Sequence, residues 1–204
     1  AGTVTAADLN TIDSNSTPNV VATAATTITG NHADITTAVS SGSITQASNV
    51  ALTAADTMTS DELASMDALT TGIITANIED VAMTDLAAIA DANSNNALTI
   101  TVTDTSVAAA ALNTLDGLTS VNVTATAATG ITGTAAAIAT ALSSTTIDHN
   151  ATNITATVDA GSVAASDLNT IDTNSTPNVV ATAATAITGT AAAIATALSS
   201  TTID

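Results

Sequence analysis

The sequence is set apart first by the residue types it lacks. Its 204 residues include no Lys, Arg, Cys, Phe, Tyr or Trp, and 18 acidic residues give a net charge of −18. Neutralising phosphate groups requires cationic side chains, so nucleic acids and anionic membrane surfaces are excluded as partners. Without cysteine there is neither a disulfide framework nor thiolate chemistry. The uncompensated negative charge favours cationic partners, above all Ca²⁺ or Mg²⁺.

Three further absences bear on location and architecture. Without Lys or Arg the chain has no trypsin-type cleavage site, which would suit a protein at the cell surface or outside the cell. No apolar run approaches the roughly 20 residues that span a bilayer, so we expect no membrane insertion. Since aromatic side chains dominate ordinary cores, a core of small aliphatic residues favours a thin, layered object over a globule.

Internal repeats are the strongest positive feature. Residues 5–30 recur with few changes at 164–189, and residues 133–148 recur identically at 189–204. One large aliphatic residue marks each expected helix, at steps of 23 to 30 residues, a period found in strand-plus-helix repeats. These residues are Leu9, Ile35, Leu63, Leu86, Leu112, Ile138, Leu168 and Ile194. We call each strand-plus-helix stretch a coil.

Each coil combines two periodicities. In the stretch 134–142, residues Ala135, Ile138 and Leu142 fall on one face of a helix, for which Thr134 is a suitable N-cap. The stretches 97–103, 120–127 and 153–158 alternate in the manner of strands. Their inward residues are predicted to be Leu98, Ile100 and Val102, then Val121, Val123 and Ala125, then Ile154, Ala156 and Val158.

Strand and helix alternating in one direction predict parallel strands joined by right-handed crossovers. We therefore predict an α/β repeat solenoid with a parallel sheet on one face and short helices on the other, at about 23–30 residues per coil. Residues 1–204 would form a single array of about eight coils, truncated from or continuing into a longer array. The alternative is an all-β solenoid in which the Ala-rich stretches are strands as well.

Acidic residues near turns are the candidate metal ligands, because Ca²⁺ takes six to eight oxygen ligands. Carboxylates stacked in neighbouring coils would supply them at the ends of strands. The residues in these places are Asp56, Glu79, Asp80, Asp104 and Asp159. The alternative interpretation is that they are turn and helix-capping residues. His32 and His149 are expected to be solvated loop residues, and with no catalytic constellation in view we expect no enzyme.

Outward threonines form the second candidate site. Aligning the strands on their inward valines predicts neighbouring columns of hydroxyl groups on a flat sheet, a surface that would bind ice or glycans. The residues are Thr101, Thr103, Thr124, Thr126, Thr155, Thr157 and Thr182. However, Val21 and Val180 interrupt the middle column, and threonine is an ordinary exposed strand residue, so the alternative interpretation is a sheet surface with no ligand.

The stretches ITGTAAAIATALSS and VAASDLNTIDTNSTPNVVATA resemble the Ala/Thr-rich tandem repeats of very large bacterial secreted or cell-surface proteins, especially those of marine cyanobacteria. The resemblance covers nearly the whole chain and implies fibres, coats or adhesins without an active site. We accordingly expect a structural segment of an extracellular fibre, surface layer or adhesin stalk, self-associating end to end or adjoining further repeats, and stabilised by Ca²⁺. An ice- or glycan-binding surface is the alternative.

Overall fold

The structure is a computed structural model, and it describes residues 2–86, 89 and 96–204. The chain divides into two compact bodies. The first body consists of Ala1–Asp80, Thr84–Ile100 and Leu118–Val121, and the second of Val81–Met83, Thr101–Gly117 and Asn122–Asp204. The prediction of a single array of eight coils stays a prediction.

The described residues contain eight helices, and each carries one of the predicted aliphatic residues. In chain order, α1 to α8 are Ala6–Asn15, His32–Ser40, Ser60–Asp67, Met83–Leu86, Ala109–Leu118, Ala135–Ser143, Ala165–Asn174 and Ala191–Ser199. Thr134 and Thr190 cap α6 and α8 by accepting hydrogen bonds from Ala137 and Ala193. The Ala-rich stretches are therefore helical, as alanine's high helix propensity favours, and the all-β alternative is wrong.

Every pair of named strands in the described residues is parallel. The strands β1 to β14 are Gly2–Thr5, Val20–Val21, Ala25–Gly30, Ile44–Thr45, Ala51–Met58, Ile74–Ile78, Ala97–Thr99, Ser106–Ala108, Val123–Thr124, Gly130–Gly133, Ile147–Asp148, Thr155–Val158, Gly161–Ala164 and Ala184–Thr188. In the first body the sheet order is β1-β3-β5-β6-β7, with the separate pair β2-β4. In the second body, β8, β10 and β12 form one sheet, and β9-β11 and β13-β14 form pairs. The coarse prediction of a mixed α/β fold with parallel sheets is confirmed.

The core consists of small aliphatic side chains, as the missing aromatics required. Ile35 in the first body and Leu112, Ile138 and Leu168 in the second are all buried. The predicted inward residues of 97–103 and 153–158 are buried too, whereas Val121 is exposed. The reason is that β9 begins only at Val123, so Val121 lies before the strand and outside its alternation.

Consecutive helices are linked by the Asn of the L-N-T-I/L-D motif. Asn113 of α5 donates to the carbonyl of Ala137 in α6 at 2.9 Å, and Asn169 of α7 donates to the carbonyl of Ala193 in α8 at 3.1 Å. Asn10 makes the equivalent bond from α1 to α2. The amide thus joins a helix to the helix 24 residues further along.

The Asp of the same motif binds the turn that follows the next helix. Asp116 accepts hydrogen bonds from Ser144 at 3.2 Å and Thr146 at 2.9 Å. Asp172 accepts from Ser200 and Thr202 in the same manner, and Asp13 accepts from Ser41 and Ser43. One carboxylate therefore holds two hydroxyl groups of the following coil, which fixes the turn after its helix.

Two glycines that precede helices at these junctions have a backbone conformation that favours glycine. Gly133 and Gly189 have φ of 144° and 139°, a region that other residues rarely adopt. A Cβ added at either position would lie 3.6 Å from the Cβ of Ala109 or Ala165, the first residue of the preceding helix. That distance is an ordinary van der Waals contact, so the positive φ, and not a lack of space, favours glycine at both positions.

The longest helices in residues 2–86 and 96–204 have ten residues. None of the described helices has the length and apolar character needed to cross a membrane.

Candidate functional site

The candidate site is the set of carboxylates that face the beginnings of helices. Asp56, predicted to follow a strand, lies within β5. Asp56 accepts the backbone N–H of His32 at 2.8 Å, and Asp80 accepts that of Ser60 at 2.6 Å. Asp104 accepts the backbone N–H of Met83 at 2.7 Å. The first amides of a helix have no partner within the helix, and its N-terminus favours negative charge. Three of the five predicted metal ligands therefore accept a hydrogen bond from the first backbone amide of the helix in the previous coil.

The other two predicted ligands lie at the surface. Glu79 is exposed and accepts a hydrogen bond from Thr57 at 3.1 Å. Asp159 is exposed, and its backbone N–H donates to the carbonyl of Gly133 at 2.8 Å. Among the described residues, no group of three or more His, Asp and Glu side chains is placed to hold a metal ion. The Ca²⁺ prediction stays a prediction.

His32 is the centre of the only ion pairs found in the described residues. Its Nδ1 lies 2.9 Å from Oδ2 of Asp56, and its Nε2 lies 3.0 Å from Oε1 of Glu62. Because carboxylate oxygens only accept hydrogen bonds, both contacts are hydrogen bonds only when the ring carries two protons. The prediction of a solvated loop histidine is wrong, since His32 is the first residue of α2 and is partly buried.

Glu62 is held in place by a capping box at the start of α3. Its Oε2 accepts the backbone N–H of Thr59 at 2.8 Å, and the hydroxyl of Thr59 accepts the backbone N–H of Glu62. The hydrogen bond from the backbone of Thr59 lowers the pKa of Glu62, and His32 lowers it further. One oxygen of this carboxylate thus caps α3, while the other contacts α2.

Asp56 is likewise fixed from two sides. Burial raises the pKa of Asp56, but the hydrogen bonds from the backbone N–H and the ring of His32 outweigh it and leave the pKa below 3.8. A cavity of about 400 Å³ beside this cluster is lined by Thr36, Asp61 and Ser65 as well as by His32 and Glu62. The contacts of His32 with Asp56 and Glu62 therefore hold two coils together beside this cavity.

His149 occupies a different kind of position. Its Nε2 lies 3.1 Å from the carbonyl of Leu142, near the end of α6. Gln46 makes the equivalent contact, donating to the carbonyl of Val39 near the end of α2 at 2.8 Å. A carbonyl in the last turn of a helix has no partner within the helix, so His149 caps the C-terminal end of α6. It lies in the loop after β11, as predicted, but it is half-buried and not solvated.

The predicted threonine surface is exposed but only partly in register. Thr101 and Thr124 lie opposite each other, as predicted, in an isolated parallel bridge. Thr155 lies opposite Gly130 instead of Thr124, and Thr157 lies opposite Thr132 and Val180. Thr101, Thr103, Thr126, Thr157 and Thr182 are exposed, whereas Thr124 and Thr155 are half-buried.

The register error has a simple cause. Thr155 belongs to β12, which pairs with β10, whereas Thr124 belongs to β9, which pairs with β11. The alternation predicts the outward face of each strand correctly, but the predicted column joins residues of two strands that do not pair with each other. The sequence pattern specifies the face and leaves the column open. A continuous column through Thr101, Thr124 and Thr155 is therefore not formed.

Sequence reasoning missed the His32 cluster and the Asn and Asp contacts of the helix motif. Two signals in the sequence could have indicated this cluster. The T-x-x-E pattern of Thr59 and Glu62 predicts the capping box, and Asp56 follows His32 by 24 residues, about one coil. Comparison with protein-family models, with curated proteins and with solved structures gives no match for this chain.

Proposed function

We propose that this chain is a structural segment of an extracellular fibre, surface layer or adhesin stalk, in which the coils stack as an α/β solenoid. The observation that supports it best is the recurrence of one junction between consecutive coils. The Asn-to-carbonyl bond, the Asp-to-hydroxyl bonds and a glycine of positive φ before the second helix occur together at α1/α2, α5/α6 and α7/α8. A contact of one kind, repeated along a chain, is how repeat proteins gain stability from nearest neighbours.

The role of the surface carboxylates is consistent with this proposal. Asp56, Asp80 and Asp104 stabilise the beginnings of helices, and both ring nitrogens of His32 are engaged by carboxylates. We therefore propose a structural role without catalysis. The extracellular location and the kinship with Ala/Thr-rich surface-protein repeats are part of the proposal, and they rest on the composition and motifs of the sequence.

Solution scattering tests the stacked arrangement. A stack of coils gives a pair-distance distribution with a long tail and a cross-section that stays constant along the particle. A symmetric distribution, as expected of a globule of 204 residues, would contradict the proposal. The measurement needs no ligand and uses the chain as it is.

A melt with and without chelator tests the Ca²⁺ component separately. An ion bound only by the folded state raises stability as its concentration rises, so the thermal midpoint should increase with millimolar Ca²⁺ and return after chelation. Mg²⁺ at the same ionic strength is the control for general screening of the 18 acidic residues. An unchanged thermal midpoint would contradict stabilisation by Ca²⁺ and would leave the structural proposal unaffected.

The exposed threonines support a second candidate, an ice- or glycan-binding surface. Thr101 and Thr124 are in register, and Thr103 and Thr126 are exposed two residues further along the chain. Thermal hysteresis, or retention on a glycan array, should then be lost on Thr101→Tyr and kept on Thr11→Tyr, an exposed position on a helix. The absence of both activities in the parent chain would end this candidate.

A further inference from the structure

The two identical stretches 133–148 and 189–204 lie in different surroundings. Leu142 of α6 is 3% exposed, whereas its twin Leu198 of α8 is 69% exposed. Ala139 is buried and its twin Ala195 is exposed, and Ile138 is buried while Ile194 is half-buried. Ile187, Ile194 and Leu198 line an open apolar pocket. Since the residues are the same, the difference comes from what lies beside them.

What covers the first stretch is the coil of residues 149–174. Its strand β12 pairs in parallel with β10, with Ile131 opposite Ala156. Its helix α7 packs against α6, and His149 contacts the carbonyl of Leu142. On the second stretch, β14 pairs with β13, and no strand in the described part of the chain pairs with its other edge.

We propose that the face formed by β14 and α8 is a docking surface for a further coil with the chemistry of residues 149–174. This inference rests on the proposed structural function and names the partner of that stack. The occupant supplies a parallel strand for the edge of β14 and an alanine- and leucine-lined helix for α8. The surface of α8 has no charged side chain, so covering it desolvates no charge.

The chemistry of the face favours this occupant over the N-terminal coil of a second copy. Residues 2–15 correspond to 161–174, so β1 corresponds to β13. The strand that covers β10 is β12, which lies before β13 and has no counterpart in residues 2–15. The first coil of a second copy would therefore cover α8 but leave the backbone groups of β14 unpaired, and unpaired groups are costly when water is excluded.

The test appends a second copy of residues 149–174 directly after Asp204, which recreates the Asp148–His149 junction. Because the chain has no cysteine, Ala195→Cys introduces a single thiol whose rate of labelling reports whether α8 is covered. Ala139→Cys is the matched buried reference and confirms that the second body is folded. We expect the appended coil to slow labelling of Ala195→Cys by about tenfold or more, toward the rate of Ala139→Cys.

The control carries the same appended coil with Asp in place of the two residues that repeat Leu168 and Ile171, and it should give no protection. Unchanged labelling in the unmodified fusion would overturn the proposal. So would protection of the original chain that increases with its own concentration, because a second copy would then be the occupant. A globular scattering profile combined with protection by the appended coil would refute the stacked function while supporting this docking surface.

Discussion

The two identical stretches of the second body, 133–148 and 189–204, show how the same residues behave in two different surroundings. On the side facing the preceding coil they are alike. Each begins with a glycine of positive φ that lies beside an alanine of the preceding helix. Each also makes hydrogen bonds to one Asn and one Asp of that helix. On the other side they differ, since α7 packs against α6 and leaves Leu142 buried while Leu198 is exposed.

The comparison teaches where the burial of a coil originates. A coil with the same 16 residues has a well-formed helix, N-cap and junction in both places, so its local structure is independent of the following coil. Ile138, Ala139 and Leu142 are buried where that coil is present, whereas their twins Ile194, Ala195 and Leu198 are not; Ala197 alone is buried without it. Local structure is therefore encoded within the coil, and hydrophobic stability is encoded between coils.

The largest expected difference in stability comes from truncating the corresponding leucine in each stretch. Leu142→Ala should lower the free energy of unfolding by about 2–5 kcal/mol, because it leaves a cavity in a buried site. Leu198→Ala should change it by no more than about 0.5 kcal/mol, as is usual for exposed positions. Denaturant unfolding of the two variants measures the difference. Equal losses would mean that α8 is covered in solution and that the comparison does not hold.

The next prediction concerns the junction with the preceding coil, where the two stretches have the same structure. Gly133→Ala and Gly189→Ala should each cost about 1–3 kcal/mol, because both force an L-residue into a backbone region reserved for glycine. Gly42→Ala, at a turn with ordinary φ and open space around it, is the control and should be nearly neutral. A large difference between Gly133 and Gly189 would show that the second junction is looser than the first.

A smaller effect concerns the Asn contact. Asn113→Ala and Asn169→Ala should each lose about 1 kcal/mol, the usual contribution of one hydrogen bond. Thr114→Ala, the exposed neighbour of Asn113 on the same helix, is the comparison variant. Denaturant unfolding measures all three. If the Asn variants lost no more than Thr114→Ala, the recurring bond would contribute nothing to the stacking of coils.

The sequence predicts the local structure well and the contacts between coils poorly. Periodicity places the helical aliphatics Ile35, Leu112 and Ile138 in the core, because apolar spacing and caps are properties of a single stretch. It fails at Val121, where the strand begins two residues later than the alternation suggests.

Contacts between coils depend on which residues face each other across a strand or helix gap. The sequence pattern places Thr155 beside Thr124, but Thr155 lies opposite Gly130 because β12 pairs with β10, and β9, which holds Thr124, pairs with β11. Asp56 was a candidate metal ligand because its partner, the N-terminus of α2, belongs to the previous coil. The sequence shows an acidic residue after a strand, and only the stacking of coils shows what it contacts.

The smallest effect compares the contact of His32 with two carboxylates, which joins two coils of the first body, with the hydrogen bonds that join the coils of the second. Because the pKa values of Asp56 and Glu62 are lowered below their ordinary values of 3.8 and 4.5, their ionised forms stabilise the fold above that range. This stability is lost as the pH falls through the lowered values. The pair is partly exposed and screened, so the loss should stay below about 1 kcal/mol. Thermal midpoints measured from pH 6 to pH 2.5 should therefore fall less steeply for Asp56→Asn with Glu62→Gln than for the parent chain. Asp61→Asn, at an exposed position in the same cleft, should follow the parent curve, and a double variant that also follows it would show that the charged contact adds no stability.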